Sequence, residues 1–327
     1  MPDYTEFKGI THIGQDSYGE ILRANILSFI EWGFLNTGGF INVNIPSSGL
    51  YGGNKHKLQP ARDPRYTDGQ VWQSFRNNWV WQSGLSTQTQ PIQVSGVYVN
   101  SSFYPLSTTG TYAHYVDYPR GRIVFNTPIS TGSVVTAEYS YKWIQTVDAR
   151  DSQLVKSIQY NANRVDNSHF TQFASGDWNP VSETRVALPL IAVHTSEKTT
   201  YRPYQIGGGS YVHKNIVCYI FSENDRFHGK IADILSSQKE KTIRLYDTNK
   251  IAEASRFPLN NNGSIASGAL TYPQMVLSSG EGGFYYDTNC TGTLRFVEAE
   301  SMNGMWLTQN LYYSIVKFQT ESILTNI

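Results

Sequence analysis

Residues 115–143, YVDYPRGRIVFNTPISTGSVVTAEYSYKW, decide how this chain is read, because turn signals and two-residue periodicity agree there on a compact antiparallel β unit. Tyr118-Pro119-Arg120-Gly121 forms a reverse turn, since proline presets φ and glycine accepts a positive φ. Thr131-Gly132-Ser133 supplies the next reversal, and residues 122–126 between the two turns form a short strand. After the second turn Val135, Ala137, Tyr139, Tyr141 and Trp143 fall on one face of a strand, with Thr136, Glu138, Ser140 and Lys142 on the other. That alternation predicts a half-buried strand. The same pattern reaches back to Ile92 through Val94, Gly96, Tyr98 and Asn100, so about five strands fit into residues 91–147, a small sandwich or barrel.

Working outward, residues 18–36 form a helix. Ser17-Tyr18-Gly19-Glu20 has the form of a capping box, Ile21, Leu22, Ile26, Phe29, Ile30 and Phe34 recur at helical spacing, and Gly38-Gly39 ends the run. Residues 40–45 are a strand. Residues 46–68 follow as a polar, Gly- and Pro-punctuated loop carrying Lys55, His56, Lys57, Arg62 and Arg65. A connection of that length is either an arm that orders against a neighbour or an ordinary mobile surface loop. Trp72, Phe75, Trp79 and Trp81 then crowd into a single segment, which serves as core or interface packing or, alternatively, as a platform on which sugar rings stack.

The later chain alternates strands and helix. Residues 148–180 are polar with weak strand markers at Val155, Ile158 and Tyr160. Residues 185–193 and 216–221 are apolar runs of strand length, and Ser222-Glu223-Asn224-Asp225 opens a second helix running to 244 or 245. Strands follow at 283–286, 293–298 and 311–318. Because strand runs adjoin without a helix between each, the order predicts an α+β fold with a mixed or antiparallel sheet flanked by two main helices. The domain division expected is a discontinuous assembly domain, residues 1–90 and 148–327, interrupted by a β-rich module at 91–147.

Composition narrows the function classes. The 26 basic and 26 acidic side chains of the 327 residues balance, leaving no net charge to drive binding to nucleic acid or an anionic membrane. Charged residues make up only 16% of the chain while tyrosines number 22, which suits sheets and aromatic contact surfaces. Cys218 and Cys290 are too few for a disulfide framework and have no metal-ligand spacing, so a reduced compartment is expected. Neither a secretory leader nor a membrane-spanning run is expected.

No reactive constellation emerges. The seven histidines are dispersed singly, and Gly207-Gly208-Gly209-Ser210 lacks the lysine and hydroxyl of a phosphate loop. Glu298 and Glu300 share a face if their segment is extended, yet neighbouring glutamates on a solvated strand explain them without catalysis. No catalytic residue, cofactor site or metal site is therefore expected.

The first helix GEILRANILSFIEWGFLNTGGF, the aromatic VWQSFRNNWVWQSGL, the β segments and the later SENDRFHGKIADILSSQKEKTIRLYD together resemble structural proteins of tailed-bacteriophage virions. More narrowly, the order of elements is similar to neck and tail-terminator proteins, which join head to tail. That resemblance implies a non-enzymatic, commonly sixfold ring, assembled in the host bacterial cytoplasm, that terminates the tail tube or sheath. It implies neighbouring connector, tube or sheath proteins as partners, DNA only in transit through the lumen, and no membrane. Trp72, Phe75, Trp79, Trp81, Tyr139, Tyr141 and Trp143 would then be interface residues, and Lys55, Lys57, Arg62 and Arg65 would belong to an arm that orders on assembly. The alternative is a baseplate or tail-fibre protein whose β module binds a host-surface glycan.

Overall fold

A computed structural model describes residues 12–47, 53–150, 170–172, 178–180, 187–205, 208–287, 291–308 and 311–324. The protein is α+β, mostly antiparallel and mixed sheet with four helices among the described residues.

Helix α1 (Tyr18–Asn36) forms where its spacing and caps require it. The Glu20 carboxylate accepts from the Ser17 N–H at 2.9 Å, and this bond, chief among several, lowers the Glu20 pKa. Ile21, Leu22, Ile26, Ile30 and Phe34 are buried along one stripe. Gly38, at φ +86°, turns the chain out, and the Gly39 N–H closes on the Phe34 carbonyl at 2.7 Å.

The chain then builds a first sheet. Strands β2 (Lys57–Pro60), β3 (Val71–Gln73), β4 (Gly96–Val99), β5 (Ser102–Pro105), β6 (His114–Asp117), β7 (Arg122–Phe125) and β8 (Val135–Thr136) lie in the order β5-β4-β8-β2-β3-β7-β6. Beside it β1 (Phe40–Val43) pairs with β9 (Tyr139–Lys142), placing Phe40 opposite Lys142. Both expected turns are present, with the Gly121 N–H on the Tyr118 carbonyl at 3.2 Å and the Ser133 N–H on the Ser130 carbonyl at 2.9 Å. Two sequence-based expectations need correction. The β unit does not begin near 91, because β2 and β3 insert between β8 and β7 and bring residues from 57 onward into the sheet. Residues 53–68 of the expected arm are likewise folded onto their own chain, with Lys57 opposite Thr136 and Asp63 buried. Residues 48–52 lie outside the described part.

Alternation along the decisive stretch holds at Val135, Ala137, Tyr139 and Tyr141, all buried. Ser140 and Lys142 on the other face are buried too. The Ser140 hydroxyl donates to Asn42 Oδ1 at 2.5 Å, and Lys142 Nζ reaches Glu31 Oε1 on α1 at 2.7 Å. The strand is thus covered on both sides, not half-buried. Three residues further on, β10 (Gln145–Asp148) leaves the first sheet and enters a second.

The second sheet runs β10-β13-β14-β17-β16-β15, with β13 Leu190–Gln205, β14 Gly208–Ser222, β15 Thr242–Arg244, β16 Thr293–Thr308 and β17 Leu311–Leu324. Only the β10–β13 pair is parallel. Its four central strands hold 14 to 16 residues each, about three times the usual length. Helix α2 (Asp225–Ser236) and α1 share one core with this sheet, in which Leu22, Ile26, Ile231 and Leu235 meet Ile191, Ile216, Ile220, Phe296, Val316 and Phe318. A smaller cluster around Tyr246, Ile251 and Met275 holds the short helices α3 (Thr248–Glu253) and α4 (Tyr272–Met275). Strands β11 (Phe170–Gln172) and β12 (Trp178–Pro180) pair with each other. Val155, Ile158 and Tyr160 fall outside the described residues.

The second helix is shorter than its periodicity suggests. Asn224, not Ser222, is the N-cap, its Oδ1 accepting from the Arg226 N–H at 2.9 Å, and residues 242–244 leave the helix to become β15. Residues 283–286 form no strand; Tyr285 makes a single bridge to Tyr246. The Tyr118 N–H meets the carbonyl of Gly263 in a loop at 3.1 Å, and Arg76 Nη2 donates to the Leu188 carbonyl, just before β13, at 3.3 Å.

Candidate functional site

The aromatic residues nominated from sequence converge, but inward. Trp72 and Trp79 are each 1% exposed, and Phe75, Tyr139 and Tyr141 are buried with them in the core of the first sheet. The Trp72 indole N–H donates to the Gly69 carbonyl at 2.9 Å and that of Trp79 to Ser74 Oγ at 3.0 Å, so neither needs a partner from outside. Trp79 stacks on Tyr139 with centroids 4.3 Å apart, and Phe75 meets Tyr141 edge-on at 5.4 Å. Trp81 packs half-buried at the margin of that core, and Trp143 half-buried against Phe227 of α2. This corrects the reading of Trp72, Phe75, Trp79, Tyr139 and Tyr141 as an outer contact surface: the chain's own packing already covers them. The same burial removes them as a platform for stacked sugars.

The basic arm is likewise committed locally. Arg65 grips Asp63 with Nε at 3.0 Å and Nη2 at 2.6 Å, and Arg122 reaches the same carboxylate from below at 2.9 Å. These bonds, led by that of Arg65, hold the Asp63 carboxyl well below the usual carboxylate range. Arg122 also donates to Asp117 at 2.9 Å, and Arg120 closes on Asp117 from outside at 3.1 Å. The cluster fastens the 61–68 loop to the turn after β6. Lys55 lies over the Phe75 ring at 6.0 Å, and Arg62 is exposed.

The uncommitted chemistry lies elsewhere, on the face of the second sheet opposite the helices. Along β14, Val212, Lys214, Ile216, Cys218 and Ile220 point under the helices and are buried, while Tyr211, His213, Asn215, Val217 and Tyr219 point the other way. The pairing register then assembles cross-strand rungs on the open face. One rung is His194, Val217, Lys317 and Glu300; the next is Asn215, Gln319 and Glu298, with Ser196 beside it. These residues line a groove of about 390 Å³. Among the described residues Glu298, Glu300 and Lys317 form no ion pair with one another. On one side the groove meets Tyr219 and Tyr313, stacked at 6.2 Å. On the other, the β13–β14 hairpin closes with Gln205 opposite Gly208, two residues beyond the Ser210–Leu324 pair.

Glu298 and Glu300 therefore share a face, as their spacing suggests, but they sit on one strand and do not oppose each other across a cleft. What sequence reading missed is their company. The neighbours on β13, β14 and β17 lie 17 to 106 residues away, and only strand register brings them together. Among the described residues no group of His, Cys, Asp or Glu is placed to hold a metal ion. Comparison with protein-family models, with curated proteins and with solved structures finds no match for this chain.

Proposed function

We propose that this chain is a non-enzymatic structural protein of a tailed-phage virion, forming a sixfold ring at the neck that terminates the tail tube or sheath and joins tail to head. In this reading α1, α2 and the second sheet are the tail-terminator-like frame, two main helices flanking a sheet, and the first sheet is an inserted all-β unit. The observation that supports it best is the second sheet itself. Its long strands bury one face beneath helices; on the other, Leu190, Ala192, Phe221 and Leu311 are buried at one end while the groove bearing Glu298 and Glu300 lies exposed. Charged side chains exposed in such a groove complement a surface of opposite charge on a neighbouring copy. Two different patches that meet head to tail generate a closed ring when the rotation permits, with no chemistry beyond complementary surfaces.

Connector, tube or sheath proteins would meet the two faces of that ring, DNA would pass through its lumen, and assembly would occur in the host cytoplasm. Mass measurement of the purified chain and a virion reconstruction with the protein labelled test the reading. A closed ring and density at the neck are the expected results. A strictly monomeric species at high concentration, together with no density at the neck, would overturn it. The glycan-binding alternative rests on the β module and the tryptophans, and the burial of Trp72 and Trp79 in the core weighs against a stacking platform there.

A further inference from the structure

Resting on that ring reading, we infer that the tip of the β13–β14 hairpin, led by Arg202 and Tyr204, docks into the Glu298–Glu300 groove of a second copy of this chain. Four observations carry the inference.

Arg202 is exposed beside Tyr204, which is 39% exposed, near the turn end of the β13–β14 hairpin, on the rung where Tyr211 pairs with Ile323 of β17. Register puts Arg202 opposite Tyr211, hence on the same open face as the groove, and Tyr204 packs edge-on against Tyr211 at 5.0 Å. Arginine and tyrosine are among the residues enriched at the positions that dominate interface energetics.

The groove complements it in charge. Glu298 and Glu300 bring two carboxylates against the single ammonium of Lys317, and Asn215 and Gln319 add hydrogen-bonding amides. Neither Arg202 nor the two glutamates has an ion-pair partner among the described residues. A guanidinium fits paired carboxylate oxygens in its fixed fork geometry.

The contact cannot form within one copy. Arg202 lies four residues along β14 from the Asn215 rung, and Glu298 is three strands across, a separation of about 20 Å at ordinary strand spacings. That is further than an arginine side chain extends.

Simple strand addition is a poorer route to assembly. Beyond Val193 the outer edge of β13 has no strand partner among the described residues, and the same holds for β16 beyond Phe296. Those edges carry Lys198, Pro203 and shifts of register, which are the devices that discourage edge-to-edge pairing.

The test is charge exchange followed by mass photometry and analytical ultracentrifugation of the full chain. Arg202→Glu alone, and Glu298→Lys with Glu300→Lys alone, are each expected to weaken assembly by about tenfold or more. All positions are exposed, so circular dichroism should match wild type. Mixed one to one, the two variants offer an arginine tip to an acidic groove and a glutamate tip to a basic groove, and assembly should return. Misfolded proteins would not rescue each other. If Arg202→Glu assembles as wild type does, the contact is wrong while the ring reading stands. If wild type itself stays monomeric, the ring reading fails and the contact with it.

Discussion

Arg122 Nε donates to Asp117 Oδ2 at 2.9 Å with both side chains 1% exposed, so a full ion pair is enclosed beneath the surface of the first sheet. Removing the Asp117 charge leaves the buried Arg122 guanidinium with Asp63 as its one remaining carboxylate partner. Asp117→Asn is expected to cost about 3–5 kcal/mol. Urea unfolding measures it, and a loss below about 1 kcal/mol would mean that water reaches Arg122.

Asp63 gives the same cluster a pH dependence. Its folded pKa is depressed, so the unfolded chain takes up the proton first. The contribution of Asp63 is therefore present above the unfolded carboxylate pKa of about 3.9 and is lost as pH falls from there toward the folded value. Asp63→Asn should lower stability at neutral pH and flatten the acid limb of a plot of unfolding free energy against pH. An acid limb as steep as wild type would place the responsible carboxylate elsewhere.

Trp79 separates core from contact surface. At 1% exposure and stacked on Tyr139, its truncation to Ala should cost about 3–5 kcal/mol in chemical unfolding. A Trp79→Ala protein with wild-type stability and lost assembly would contradict its place in the core.

Gly121 is required by geometry. Its φ is +62°, and a Cβ there would stand 2.2 Å from the Arg76 carbonyl oxygen, whereas a Cβ on Gly84, at φ +74°, would meet open space. Gly84→Ala should cost about 1 kcal/mol from backbone strain, and Gly121→Ala clearly more, because backbone must also move. Equal shifts in melting temperature would remove the role assigned to the Tyr118–Gly121 turn.

Cys218 is enclosed between the second sheet and the helices, and burial pushes its thiol pKa up to about 12. In a Cys290→Ser background, a disulfide reagent at pH 8 should label nothing in the native protein and one thiol in urea. Rapid stoichiometric labelling of the native protein would show that the core opens.

Local signals were legible in the sequence and distant ones were not. The capping box at Ser17, the stripe from Ile21 to Phe34 and the turn at Gly121 each act within a few residues, and helix α1 and strand β7 stand close to where those signals put them. Lys239 to Leu245 continues helix-compatible residues, yet α2 ends at Ser236 because pairing of Ile243 with Leu294 draws residues 242–244 into a strand. The aromatic cluster is a local signal, but the direction its rings face depends on packing with residues such as Ile123 of β7, about fifty residues away. The groove was visible only as Glu298 and Glu300, because Lys317 and Gln319 join them through register.

Strand β14 lies between β13, its neighbour in the chain, and β17, which is about a hundred residues later. On a ribosome the β13–β14 hairpin can close early, but the second edge of β14 stays open until residues 311–324 have been made. That edge carries Ile216, Cys218 and Ile220, apolar enough to seek any strand within reach. The order of synthesis therefore leaves a sticky interval in the life of each nascent chain, and it lasts as long as translation takes to reach β17.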